Sequence, residues 1–123
     1  MHYMNFPVYF VSFLIIVSKY LDCKTTSSQI TNVEQEKNPF ARALMRKFGI
    51  NVVIWGVFFL VIVIVGFSVY LLFNYFNTTF YKILYIILGL IISFFHFAIA
   101  HTNQTKKLNF ITKYLAKIYK QTL

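Results

Sequence analysis

Three long apolar runs separated by short polar stretches organise the chain. The longest, Gly49 to Phe76, carries no charged residue, and after its first glycine only Asn51, Gly56, Gly66, Ser68 and Asn74 depart from large apolar or aromatic side chains. A bilayer's hydrocarbon core, about 30 Å thick, needs about 20 apolar helical residues. The run therefore predicts a membrane-spanning helix over 49–76. A buried core helix of this length needs a larger soluble domain around it than 123 residues provide. The first run, FPVYFVSFLIIV, begins at Phe6, and Pro7 suits a first helical turn, where its missing N–H costs little. It predicts a helix over 6–23, with Lys19 snorkelling toward the interface. A cleaved signal peptide is the alternative, but such a peptide carries its positive charge before the apolar run. Met1 to Asn5 holds no Lys or Arg, whereas Lys19 and Lys24 follow the run. The third run, Phe80 to Ala100, is interrupted by Lys82 near its entry and His96 near its exit, and predicts a helix over 80–101. The short uncharged turn from Asn74 to Thr79 predicts that the second and third spans are antiparallel neighbours. The pattern is that of an all-α integral membrane protein: three transmembrane helices plus short interfacial helices, in one domain over 1–123.

The polar stretches have their own signals. Residues 24–48 read as a polar loop followed by an interfacial helix. Asn38-Pro39 supplies an N-cap and a first helical residue, and Phe40, Leu44 and Phe48 then recur every fourth position. The tail over 105–122 reads as a basic amphipathic helix. Leu108, Ile111, Tyr114, Leu115, Ile118 and Tyr119 share one broad arc, while Lys106, Lys113, Lys117 and Lys120 gather on the other. Trp55, Tyr70, Tyr75, Tyr81 and Tyr85 are expected to form aromatic belts at the membrane surfaces.

Charge adds the topology. The net charge is +9, carried mainly by two basic patches that flank spans, so anionic lipid rather than nucleic acid is the expected partner. The segment before the second span and the C-terminal tail both carry excess Lys and Arg. With three spans these fall on one side, expected to be cytoplasmic, which leaves the N-terminus outside the cell membrane. Lys106, Lys113, Lys117 and Lys120 are then the residues expected to bind an anionic cytoplasmic leaflet.

Candidate chemistry is sparse. The sequence has no phosphate-binding glycine loop, Gly-x-Ser-x-Gly, Cys-x-x-Cys or His-Glu-x-x-His. Cys23 stands alone, so no internal disulfide forms. His96 and His101 lack a ligand spacing, and neither a metal nor a cofactor is expected. Asn77-Thr78-Thr79 and Asn103-Gln104-Thr105 match the glycosylation sequon, one near the membrane surface and the other on the expected cytoplasmic side. Gly89, Ser93, His96 and Ala100 share one face of the third span, and Gly89-x-x-x-Ser93 is a small-x-x-x-small pattern that lets another helix approach. On that face His96 is expected to hydrogen-bond a neighbouring helix, a titrating role being the alternative. Asp22, Glu36, Asn38, Arg42 and Arg46 are expected to meet in a polar cluster at the cytoplasmic face.

Asp22-Cys23-Lys24-Thr25-Thr26, followed by Glu36-Lys37-Asn38-Pro39 with Arg42 and Gly49, resembles a family of small multi-pass membrane proteins defined only as a domain of unknown function. In that family an Asp-x-x-Thr closes one helix and an acid-x-Asn-Pro opens the next. The resemblance covers residues 15–50 and implies a compact helical membrane domain without supplying an activity. The leading expectation is a non-enzymatic accessory or scaffold subunit that packs against other membrane helices or against itself. A holin-like pore former is the first alternative. An intramembrane enzyme or transporter fragment using Asp22 and His96 is the second.

Overall fold

The computed structural model describes residues 5–30, 32–36, 38–105 and 110–122, with the helical backbone alone at 110, 111 and 119–122. These residues form five α-helices and no strand: α1 (Asn5–Gln29), α2 (Pro39–Phe48), α3 (Ile50–Asn74), α4 (Thr79–Thr105) and α5 (Phe110–Thr122). A short 3-10 turn, Val33–Gln35, precedes α2. Three of the helices, α1, α3 and α4, are long and apolar enough to cross a membrane. The chain is an all-α membrane protein.

α1 runs six residues beyond its expected end at 23, through a stretch rich in Thr and Ser. Those side chains satisfy their hydroxyls within the helix by bonding backward. Thr25 Oγ1 donates to the Leu21 carbonyl at 2.7 Å, and Ser28 Oγ donates to the Thr25 carbonyl at 2.9 Å. At α2, Asn38 Oδ1 accepts from the backbone N–H groups of Phe40 and Ala41, the cap that its Asn-Pro pair predicts. Gly49 separates α2 from α3 with φ 101°, a left-handed conformation that a side chain would strain. α4 extends to Thr105, past the expected end at 101, and α5 is described from Phe110, the expected start of the tail helix after Thr105 lying outside the described residues.

The packing order differs from chain order. α1 packs most extensively on α4 and next on α3, whereas the backbones of α3 and α4, although joined by a tight turn, barely meet. The expected α3–α4 pairing is thus replaced by α1 wedged between the two. Side-chain size accounts for this. Val8, Val11, Ile15, Ser18 and Asp22, all buried, recur at 3–4–3–4 spacing along α1 and form one seam. Opposite them α4 buries Lys82, Gly89, Ser93 and Ala100. Small residues on both sides of this seam permit an approach that the large side chains of α3 do not.

The hydrogen bonds fix direction. Asn5 meets Lys82, Ser12 meets Tyr85, and Thr25 and Thr26 meet Asn103, so α1 and α4 run parallel. Cys23 Sγ donates to the Ile54 carbonyl at 3.5 Å, Ser27 Oγ donates to Asn51 at 3.0 Å and Tyr9 meets Phe73, so α1 and α3 run antiparallel. The C-terminal ends of α1 and α4 therefore share one face with α2 and α5. The start of α1 shares the other face with the α3–α4 turn.

Candidate functional site

On the face that carries α2 and α5, the helices surround a cavity of about 540 Å³. Each of the five helices contributes to its wall: Asp22 from α1, Ala41 from α2, Val57 from α3, Ile99 from α4 and Leu115 from α5. At its inner end Lys19 Nζ donates to Asp22 Oδ2 at 3.1 Å, in an ion pair that is mostly buried. Thr26 Oγ1 donates to Asp22 Oδ1 at 3.3 Å. The Asn103 amide nitrogen reaches from α4 to both Thr25 Oγ1 and Thr26 Oγ1, at 3.1 and 2.9 Å. A polar chain thus runs from α4 through Thr26 to the buried pair. An ion pair desolvated in this way persists where geometry and further hydrogen bonds satisfy it.

Of the expected polar cluster, Asp22, Glu36 and Asn38 line this cavity. Glu36 Oε1 accepts from the Asn38 backbone N–H at 3.0 Å. Arg42 donates to the Glu36 backbone carbonyl at 3.4 Å and stays outside the lining. Arg46 lies farther away, donating to Glu34 Oε1 at 2.6 Å on the exposed surface. That guanidinium holds the Glu34 carboxyl below its ordinary value.

The small-residue face of α4 lies along α1. Gly89 sits so close to α1 that a Cβ there would overlap Val11 Cγ1 and press on Ile15 Cδ1 at 3.1 Å. Ser93 and Ala100 are buried. His96 is half-buried, and its Nδ1 has no hydrogen-bond partner among the described residues. The expected bond from His96 to a neighbouring helix is not made by that atom. Neither His96 nor His101 lines the cavity that holds Asp22. Among the described residues no group of His, Cys, Asp or Glu is arranged to hold a metal ion.

Three inter-helix contacts had weak signals in the sequence. Tyr85, expected in an aromatic belt, is half-buried and shares a 2.5 Å hydrogen bond with Ser12. Lys82 is almost wholly buried, donating to Asn5 Oδ1 at 3.0 Å with its ammonium 5.1 Å from the Phe73 ring centre. Asn103, read as part of a sequon, is engaged with α1. Lys82, Tyr85 and Asn103 continue the 3–4 spacing of Gly89, Ser93, His96 and Ala100 along α4, and that pattern was available to find them. On α5, Lys113 and Lys117 are exposed, Lys120 belongs to the helix, and Lys106 lies outside the described residues. The apolar arc of the tail does not all face one way. Leu115 lines the cavity, Tyr114 and Ile118 are exposed, and Thr112 is buried with its hydroxyl 2.7 Å from that of Thr102. That bond joins α5 to the end of α4.

Fold and site together define a small helical membrane protein, three spans around a central first helix with a polar-floored cavity at one face. No protein-family model, curated protein or solved structure matches the chain.

Proposed function

We propose that the chain is a non-enzymatic accessory or scaffold subunit of the cell membrane, one that presents α3 and α4 to other membrane helices. In this reading the N-terminus is outside and the face carrying α2 and α5 is cytoplasmic. There the exposed Lys113 and Lys117, with Lys106 and Lys120, meet an anionic leaflet. The observation that carries the proposal is how burial divides among the spans. The least apolar helix, α1, buries 39% of its most apolar stretch, and the two more apolar helices bury only 17% each. On α3, a Cβ placed at Gly56 or Gly66 would have nothing within 4 Å, so the chain itself gives no packing reason for either glycine. Glycine at a membrane helix surface lets a second helix approach closely. The Asp22 carboxylate is held by Lys19 and Thr26, which supports a structural role over a catalytic one.

The test is association in the membrane. Gly56→Leu and Gly66→Leu should lower energy transfer between labelled copies, or between this chain and a co-purified partner, without changing resistance to unfolding. Association unchanged in both variants would contradict the proposal.

A further inference from the structure

We infer that the cavity between the ends of the five helices binds the head group and upper chain of an amine-bearing phospholipid. The inference concerns a ligand site and holds whether or not α3 and α4 carry a partner helix.

The argument starts from depth. Val57 lies seven residues into α3, and Ile99 lies six residues before the end of α4. At 1.5 Å per residue both walls reach about 10 Å inward from the helix ends. Lys19, ten residues before the end of α1, lies about 15 Å in. The cavity thus crosses from the level of lipid head groups into the level of acyl chains. Its mouth is lined by polar side chains, among them Glu36, Asn38 and Asn103, its side walls by Val53, Ile54 and Ile99, and its inner end by the Lys19–Asp22 pair, whose charges satisfy each other. A wholly polar ligand leaves those walls uncovered, and a hydrocarbon leaves the polar mouth unpaired, at a cost for each buried polar group. An amphiphile satisfies both.

Charge selects the head group. Lys19, Asp22 and Glu36 are the charged side chains among the described lining residues. The first two neutralise each other at 3.1 Å, so Glu36 is the unpaired carboxylate among the described lining residues, with the Arg42 guanidinium at its backbone carbonyl. Its Oε1 accepts one backbone N–H, and its second oxygen takes no hydrogen bond among the described residues. Asn103 spends its amide nitrogen on Thr25 and Thr26 and keeps its carbonyl oxygen as an acceptor. At the mouth Glu36 and Asn103 offer acceptors, which match an ammonium with its own N–H donors, while Asn38, whose Oδ1 caps α2, offers its amide N–H. Arg42 and the exposed Lys113 and Lys117 stand outside the lining, where the phosphate of such a lipid meets positive charge.

The experiment uses the full chain purified in mild detergent micelles doped with one lipid at a time, with retained lipid read by native mass spectrometry. Phosphatidylethanolamine should be retained at least about fivefold more than phosphatidylcholine of the same chains, whose methylated amine cannot donate. Glu36→Gln should erase that preference. Ala116→Trp should fill the cavity and reduce retention of both lipids, and Val57→Trp does the same from the α3 wall if the first variant does not fold. Dodecylamine should displace phosphatidylethanolamine. Equal retention of the two lipids, or preference for phosphatidylglycerol, overturns the amine assignment. A preference that survives Glu36→Gln overturns the assignment to this cavity. Dodecylamine bound without any preference for the aminolipid overturns the lipid as its source.

Discussion

Adding one methyl group at Gly89 tests the α1–α4 seam directly. A Cβ at 89 overlaps Val11 Cγ1 and presses on Ile15 Cδ1, both on residues that are themselves buried. Overpacking of this kind costs about 1–3 kcal/mol. Alanine opposes it with a gain in helix propensity over glycine of up to about 1 kcal/mol. The net expectation for Gly89→Ala is a loss of up to about 2 kcal/mol. Gly56→Ala and Gly66→Ala supply the control, since both positions are open and only the propensity gain remains. These two should be neutral or slightly stabilising. The assay is reversible unfolding in mixed micelles of increasing SDS fraction, followed by circular dichroism. Val11→Ala on the Gly89→Ala background should recover part of the loss, because it removes the overlapped atom. Gly89→Ala as stable as Gly56→Ala would show that α1 does not lie against α4 at this point.

Other perturbations follow from the same contacts. Gly89→Leu should destabilise the protein more than His96→Phe, because His96 Nδ1 makes no hydrogen bond among the described residues to lose; the same titration ranks them. Asn5→Leu leaves the Lys82 ammonium buried without its hydrogen bond, so it should cost more than Lys82→Met, which removes the charge as well. Asn103→Leu should lose two contacts of about 0.6 kcal/mol each and speed amide exchange over residues 24–29, measured by mass spectrometry. Glu34 has a folded pKa below its ordinary 4.5, so the Glu34–Arg46 contact is complete above that value and is lost as pH falls through the lower, folded pKa. The Glu34 carboxyl carbon shift should titrate at lower pH in the native chain than in Arg46→Gln. Because the pair is exposed, global stability should hardly change.

The existence of the helices was legible because each rests on a local signal: uninterrupted apolar length for α3, an Asn-Pro start for α2. Their arrangement depends on which faces fit, and that is settled between residues far apart in sequence. The turn after Asn74 pointed to an α3–α4 pair, but turn length governs only connection, and the small residues Ser12, Ser18, Gly89 and Ser93 bring α1 onto α4 instead. Asp22 stood out as an acid near a span. Its partners Lys19 and Thr26 were one helical turn away and could have been paired with it from spacing alone. Lys82 stood only as an interruption near the entry of the third run, because nothing nearby in sequence shows that Asn5 and Phe73 meet it. The cavity had no local signature, since its wall comes from all five helices.

The central claim is that α1 threads between α3 and α4, parallel to α4. It is tested most directly by cross-linking paired cysteines in membranes, in a Cys23→Ser background and with a short bifunctional thiol reagent. Asn5→Cys with Lys82→Cys, and Thr26→Cys with Asn103→Cys, should each cross-link efficiently within one chain, while Asn5→Cys with Asn103→Cys should not. Cross-linking of the Asn5–Asn103 pair in place of the other two would reverse α1 and contradict the account.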